Sequence, residues 1–138
     1  MRRVRPPGTV VRTAADLTAL WESLMGPGGF GVTSVWLVFL DAENRVLPAI
    51  VPIDDLPTEP DRDFLHSLLR IVADLIDSGS TSSVAMLLSR PGPAAISGPD
   101  RRWARALRAE LGDRLTTWPI HLATPGRVRV FAPDDLLG

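Results

Sequence analysis

Apolar residues recur at helical spacing in three segments of this chain. Each segment repeats them at intervals of three and four positions, with charged residues in between. The first segment follows Thr13, a favourable N-cap, with Asp16 three residues later in the manner of a capping box. Ser97 can cap the third segment, with Asp100 in its first turn. The pattern predicts amphipathic helices over residues 14–25, 61–78 and 99–112.

Short apolar runs between the helices predict strands. Residues 34–40 form an almost unbroken apolar run bounded by turn residues, which is typical of a central strand buried on both faces. A turn over residues 41–45 joins it to a second run over residues 46–53. The two runs predict a β-hairpin, and the prolines of the second run place that strand at or near an edge. The remaining predicted strands cover residues 9–12, 84–88, 118–123 and 128–132.

The order of these elements predicts one α/β domain. Helices alternate with strands, which favours a three-layer-like sandwich with a mixed β-sheet and about three helices. The length of 138 residues fits a single domain. Residues 1–8 are basic and proline-bearing and are interpreted as a flexible N-terminal tail. Residues 9–138 are interpreted as the folded domain.

Composition excludes several classes of chemistry. The chain has no cysteine, which removes disulfides, thiolate nucleophiles and cysteine-based metal sites. Every basic residue other than histidine is arginine, so Schiff-base lysines and the lysine of a P-loop are excluded. The formal charge of −1 gives no global attraction to nucleic acid, and no apolar run reaches the roughly 20 residues of a membrane span. We expect a cytoplasmic protein without membrane contact, for which nucleic acid is not the expected partner.

The residues with reactive side chains do not form a recognised catalytic motif. His66 lies beside the polar face of the second helix and is predicted to be solvated. His121 lies in a strand, where alternation places it opposite Ile120 and Leu122. Ser89 ends a buried strand, a place where α/β sheets build sites, but no base is evident for it. No metal site and no cofactor are predicted.

Two charged clusters remain. The acidic residues between positions 54 and 63 lack EF-hand spacing and are interpreted as a solvated loop with carboxylates at a helix N-terminus. The third helix carries arginines on its outward side. They form either an exposed helix face or a contact for phosphates or an acidic partner, and they are Arg101, Arg102, Arg105 and Arg108.

Several short phrases occur in an order that is characteristic of one protein family. Residues 38–46 (V-F-L-D-A-E-N-R-V) are similar to that family's phrase L-F-L-D-x-x-N-R-L. Residues 86–92 (M-L-L-S-R-P-G) stand where the family has a strand ending in H-x-H-P-S-G. Residues 97–100 match a serine-capped helix start that carries an aspartate, and residues 120–122 (I-H-L) match a D-H-L phrase. In their order these phrases resemble the RadC-like branch of the JAB/MPN metalloprotease superfamily. The resemblance covers residues 9–132 and implies a JAB/MPN-like, cytidine-deaminase-like sandwich.

The resemblance also implies a zinc site that this chain lacks. In the family two histidines and a downstream aspartate bind zinc, and an upstream glutamate is the general base. Leu88 and Arg90 stand where the histidines would be, and Asp100 matches the third ligand. Arg90 would repel a cation and is better placed to pair with Asp100. The strand over residues 46–53 offers no glutamate, so we predict a metal-free, catalytically inactive domain.

The resemblance implies a binding role, because relatives that lost their metal commonly act as scaffolding partners. We expect the partner to be another protein or a second copy of the chain, with a small ligand as the alternative. Arg101, Arg105 and Arg108 are candidate contacts for an anion or a partner. Two other hypotheses stay open: a hydrolase of unrecognised chemistry using Ser89, Asp100 and His121, and a nucleic-acid-associated protein. The residues predicted to line the remnant cleft are Leu88, Ser89, Arg90, Ser97, Asp100 and His121.

Overall fold

The computed structural model describes residues 9–25, 31–79, 81–115 and 118–132. The predicted N-terminal tail, residues 1–8, lies outside these ranges. Within them the chain forms three helices and five strands. In chain order they are α1 (Ala14–Met25), β1 (Ser34–Leu40), β2 (Val46–Ile53), α2 (Arg62–Asp77), β3 (Ser83–Ser89), α3 (Gly98–Leu115), β4 (His121–Thr124) and β5 (Arg127–Val130).

The five strands form one mixed sheet in the order β2-β1-β3-β4-β5. β1 pairs antiparallel with both β2 and β3, and β4 pairs antiparallel with β5. β3 and β4 are parallel, and α3 supplies the crossover between them. Next to β2, Val10 forms an isolated bridge with Arg45, which makes a minimal sixth strand. The strand predicted over residues 9–12 is therefore reduced to this single bridge. The predicted hairpin of β1 and β2 is confirmed.

The helices cover both faces of the sheet, because alternate residues of each strand point to opposite sides. α2 and α3 pack on one face, over a core that includes Leu37, Met86 and Trp103. α1 packs on the other face through Leu17 and Trp21, which are fully buried. The predicted three-layer α/β sandwich with a mixed sheet is therefore confirmed.

Local sequence signals begin the helices. Thr13 Oγ1 accepts a hydrogen bond from the Asp16 backbone N–H at 3.1 Å, and the Asp16 carboxylate accepts one from the Thr13 N–H at 3.2 Å, so the predicted capping box forms. The Asp61 carboxylate caps α2 by accepting from the Phe64 N–H at 3.0 Å. None of the described helices is long and apolar enough to cross a membrane.

The fourth strand begins later than the apolar pattern predicts. The predicted strand starts at residue 118, whereas β4 starts at His121. Pro119 has no N–H to donate to a ladder. The Trp118 side chain instead donates its Nε1–H to Ser83 Oγ at 3.1 Å, so this segment joins the sheet through a side chain before it joins through the backbone.

Candidate functional site

The residues predicted to line one cleft lie on two different faces of the sheet at the end of β3. Leu88 belongs to the core beneath α2 and α3, and Arg90, two residues later, lies on the same side beside Asp100. Ser89 lies on the opposite side, where its Oγ accepts a hydrogen bond from Trp36 Nε1 at 3.0 Å. The site at the end of β3 is therefore built on the α2–α3 side alone.

The Arg90 guanidinium uses all of its N–H groups within the chain. Its Nε and Nη2 donate to the two Asp100 carboxylate oxygens at 2.8 and 2.7 Å, a bidentate pair. Nη2 also donates to the Ala95 carbonyl at 2.9 Å, and Nη1 donates to the Pro91 and Pro93 carbonyls at 3.0 and 2.8 Å. Because a guanidinium has five N–H donors, none is left for a ligand. Arg90 thus fastens the loop between β3 and α3 to the start of α3.

Asp100 is held from two directions. One carboxylate oxygen accepts from the Ser97 backbone N–H at 2.8 Å, and the Asp100 N–H donates to Ser97 Oγ at 3.2 Å, so the predicted cap of α3 forms. Burial raises the pKa of Asp100, but the hydrogen bonds from Arg90 and Ser97 and the charge of Arg90 together leave that pKa below its ordinary value. The pairing raises the pKa of Arg90 in turn, so the pair is ionised at neutral pH.

The zinc site implied by the family resemblance does not fit these residues. Leu88 has no ligating atom, and Arg90 places a permanent positive charge 2.7 Å from the carboxylate that would be the third ligand. In the described ranges no group of three or more histidine, aspartate or glutamate side chains is arranged to hold a metal ion. These residues therefore form an ion pair and do not leave the open coordination position that a catalytic zinc site needs.

A cleft of 180 Å³ adjoins the Arg90–Asp100 pair, and we call it the β3–α3 cleft. Its charged wall is this pair, and its apolar floor contains Leu88 and Trp103. The Trp103 indole is fixed because its Nε1–H donates to the Pro57 carbonyl at 3.0 Å and its ring meets the Phe64 ring edge-on at 5.6 Å. Besides the four predicted residues Leu88, Arg90, Ser97 and Asp100, the lining contains Thr33, Leu56, Pro57, Thr58, Pro99 and Trp103.

The six residues missed by sequence reasoning come mostly from loops. Leu56 and Pro57 interrupt the acidic segment between positions 54 and 63, and that short apolar break was the one local signal that the loop turns inward. Thr33 precedes β1 and reaches the cleft because its carbonyl accepts from the Leu56 N–H at 2.9 Å. These contacts join segments that are distant in the chain.

Ser89, Asp100 and His121 do not converge into one active site. His121 lies on the α1 side, where its Nε2 is 2.7 Å from Thr18 Oγ1, whereas Asp100 lies on the α2–α3 side. The Thr18 hydroxyl already donates to the Ala14 carbonyl at 3.0 Å, so it accepts from a protonated Nε2 of a neutral His121 ring. The alternation predicted for His121 is confirmed, since Ile120 and Leu122 belong to the opposite core.

Burial governs the charge of His121. The residue is fully shielded from solvent, and burial lowers its pKa to about 4. The Pro119 backbone partly opposes this shift, although Nδ1 has no partner with hydrogen-bond geometry in the described ranges. The ring is therefore neutral at pH 7 and acts as a structural group between α1 and the sheet.

The other candidate residues are on the surface or in structural contacts. His66 is exposed on α2, as predicted for a solvated histidine. Asp54 accepts from the Ser34 hydroxyl at 2.6 Å, and Glu59 forms a bidentate pair with Arg102 at 2.6 Å. The acidic segment is therefore largely exposed, with some of its carboxylates engaged locally.

Comparison with protein-family models and with curated proteins finds no match to this chain. The resemblance to the RadC-like branch of the JAB/MPN superfamily therefore rests on the order of the quoted phrases alone.

Proposed function

We propose that this chain is a catalytically inactive JAB/RadC-like domain that works by binding a protein partner, which includes a second copy of itself. The observation that carries the proposal is the Arg90–Asp100 pair. All five guanidinium donors of Arg90 are satisfied within the chain, and the family resemblance would assign these positions to zinc ligands. Such a pair organises a loop and supplies no nucleophile, acid or base.

The size of the β3–α3 cleft supports a protein partner over a whole metabolite. Pockets for drug-sized ligands usually occupy about 300–1,000 Å³. A cavity of about 150 Å³ accommodates a molecule the size of benzene. At 180 Å³, the cleft matches one apolar side chain. We propose that it receives a single apolar anchor side chain from the partner, a common arrangement in protein interfaces.

Asp100 lies on the opposite side of the sheet from Ser89 and His121, which gives no support to the hydrolase hypothesis. Asp100 is committed to Arg90 and Ser97, and Ser89 accepts from Trp36 on the other side of the sheet. In the described ranges the side chain hydrogen-bonded to Ser89 Oγ is the Trp36 indole, which is not a base and would not activate this hydroxyl as a nucleophile.

Titration with N-acetyl-leucinamide, followed by two-dimensional NMR, tests the cleft. The Trp103 indole N–H resonance should shift, because Trp103 lines the floor of the cleft and its N–H is held by the Pro57 carbonyl. Thr58→Trp fills the cleft from an exposed position and should abolish the shift, whereas Ser67→Trp, exposed on α2, should preserve it. Shifts confined to other regions, or equal responses of the two variants, would contradict the proposed anchor site.

A further inference from the structure

One flank of α3 carries three arginines. Arg101, Arg105 and Arg108 are spaced i, i+4 and i+7, so they lie along one side of the helix. Arg102 lies on a different side and reaches Glu59 in the loop before α2. The three arginines therefore lie on a different side of α3 from the Arg102–Glu59 contact.

β5 directs two more arginines to the same side of the sheet. Arg129 pairs with Leu122 and Arg127 pairs with Thr124, and paired residues of antiparallel strands share a face. Leu122 belongs to the core beneath α2 and α3, so both arginines project towards the α3 layer. Arg129 Nη1 donates to the Ala94 carbonyl at 3.3 Å, which ties β5 to the loop that enters α3.

These two sets lie on the same side of the sheet, and we call them together the arginine face. In the described parts of the chain none of its members forms an ion pair with a carboxylate. The net charge of −1 conceals this arrangement, because many carboxylates lie at a distance, in the loop before α2 and on α2 itself. The arginine face consists of Arg101, Arg105, Arg108, Arg127 and Arg129.

Two members of the arginine face are held in place before any ligand binds. Arg105 and Arg129 are half-buried, and the Nε atom of each is shielded from solvent without a hydrogen-bond partner in the described ranges. Their side chains therefore lose less rotamer freedom on binding than freely exposed arginines would. Like charges gathered on one surface repel each other, and an anion with several charges would relieve that repulsion.

We propose that the arginine face binds the phosphate groups of a polyanion. The planar guanidinium fork fits phosphate oxygens in bidentate fashion, and several closely spaced phosphates match guanidinium groups from two elements. In the described ranges no tryptophan or phenylalanine is exposed, so none offers a platform on which a base would stack. Contact is therefore with phosphates and is independent of nucleotide sequence.

Isothermal titration calorimetry with inorganic tripolyphosphate, and separately with a short DNA duplex, tests the proposal. Arg105→Gln/Arg129→Gln should weaken binding by at least about tenfold, because charge-assisted hydrogen bonds are lost. The control Arg62→Gln/Arg70→Gln removes the same charge from exposed positions on α2 and should change binding by no more than about twofold. Circular dichroism of each variant verifies folding.

The two titrations also identify the source of the phosphate. Binding of tripolyphosphate alone would support a small phosphorylated ligand, and binding of both probes, weakening steeply with salt, would support a nucleic-acid backbone. Failure of the wild-type chain to bind either probe at millimolar concentration would overturn the proposal. Equal weakening by the control pair, or tighter binding of poly-glutamate than of tripolyphosphate, would overturn it as well.

Discussion

Removal of the Arg90 charge tests the structural role of the Arg90–Asp100 pair most sharply. Arg90→Met keeps the aliphatic stem but leaves the Asp100 carboxylate, whose side chain is 7% exposed, without its cation. Breaking a buried pair by removing one partner costs about 3–5 kcal/mol. Asp100 keeps its hydrogen bond from the Ser97 N–H, and the freed loop carbonyls can bond to water. We therefore expect the free energy of unfolding to fall by about 3 kcal/mol, near the lower limit of that range. For a domain of this size the expected fall in Tm is about 10 °C.

A double-mutant cycle with Asp100→Asn separates the pair from its surroundings. The free energy of unfolding is measured by urea denaturation for each single variant and for the double variant. We expect the double variant to be more stable than additivity predicts by about 2 kcal/mol, because neither charge is then left buried alone. The matched control is Arg102→Met, which breaks the bidentate Arg102–Glu59 pair on the surface and should leave stability nearly unchanged.

Acid titration gives a second readout of the same pair. The pKa of Asp100 is lowered in the folded state, so its stabilising contribution is fully present above the unfolded pKa of about 4. This contribution is lost as the pH falls through the lower pKa that Asp100 has in the folded state. Arg90→Met should move that loss to higher pH. A cost below about 1 kcal/mol for Arg90→Met, or strictly additive effects, would refute the reasoning.

Further predictions concern the two sides of the sheet. Acidification from pH 7.5 to 5.0 should cost about 2 kcal/mol through His121, since the unfolded ring binds a proton that the buried ring, with its pKa of about 4, does not. Urea denaturation at both pH values should show this loss in wild type and in His66→Gln but not in His121→Gln; a persistent loss in the latter would contradict the assignment. On α2, Leu68→Ala should destabilise the chain by about 2–5 kcal/mol because Leu68 is 2% exposed. Leu75→Ala, at 37% exposed, should cost less than about 1 kcal/mol, and equal losses would contradict the packing of α2.

The elements that could be predicted are those with local causes. The bounds of α1, β1 and β2 agree with the apolar pattern, and the Thr13–Asp16 capping box forms as its spacing indicates. The placement of His121 opposite Ile120 and Leu122 follows from the two-residue period of a strand. These features depend on residues within a few positions of one another.

The features that could not be predicted depend on contacts between distant segments. The sequence predicts that Arg90 pairs with Asp100. It does not predict the three loop carbonyls that accept the other Arg90 hydrogen bonds, because they come together only in the folded loop. Ser89 is predicted to line the same cleft as its neighbour Leu88. Strand alternation directs the Ser89 hydroxyl to the opposite face of the sheet instead. The arginine face likewise combines residues of two separate elements, α3 and β5, so it could not be predicted from either element alone.

We propose that the Arg90–Asp100 pair stands where the family resemblance would place a zinc site. Zinc binding to the purified chain, measured by elemental analysis without chelators and by calorimetric titration, tests it most directly. The wild-type chain should hold well below one zinc per molecule, and Leu88→His/Arg90→His, which places two imidazoles beside Asp100, should bind about one. Adding Asp100→Asn to that variant should weaken its zinc binding. Stoichiometric zinc in the wild-type chain would contradict the account, and a folded Leu88→His/Arg90→His variant that binds none would contradict the proposed ancestry of the site.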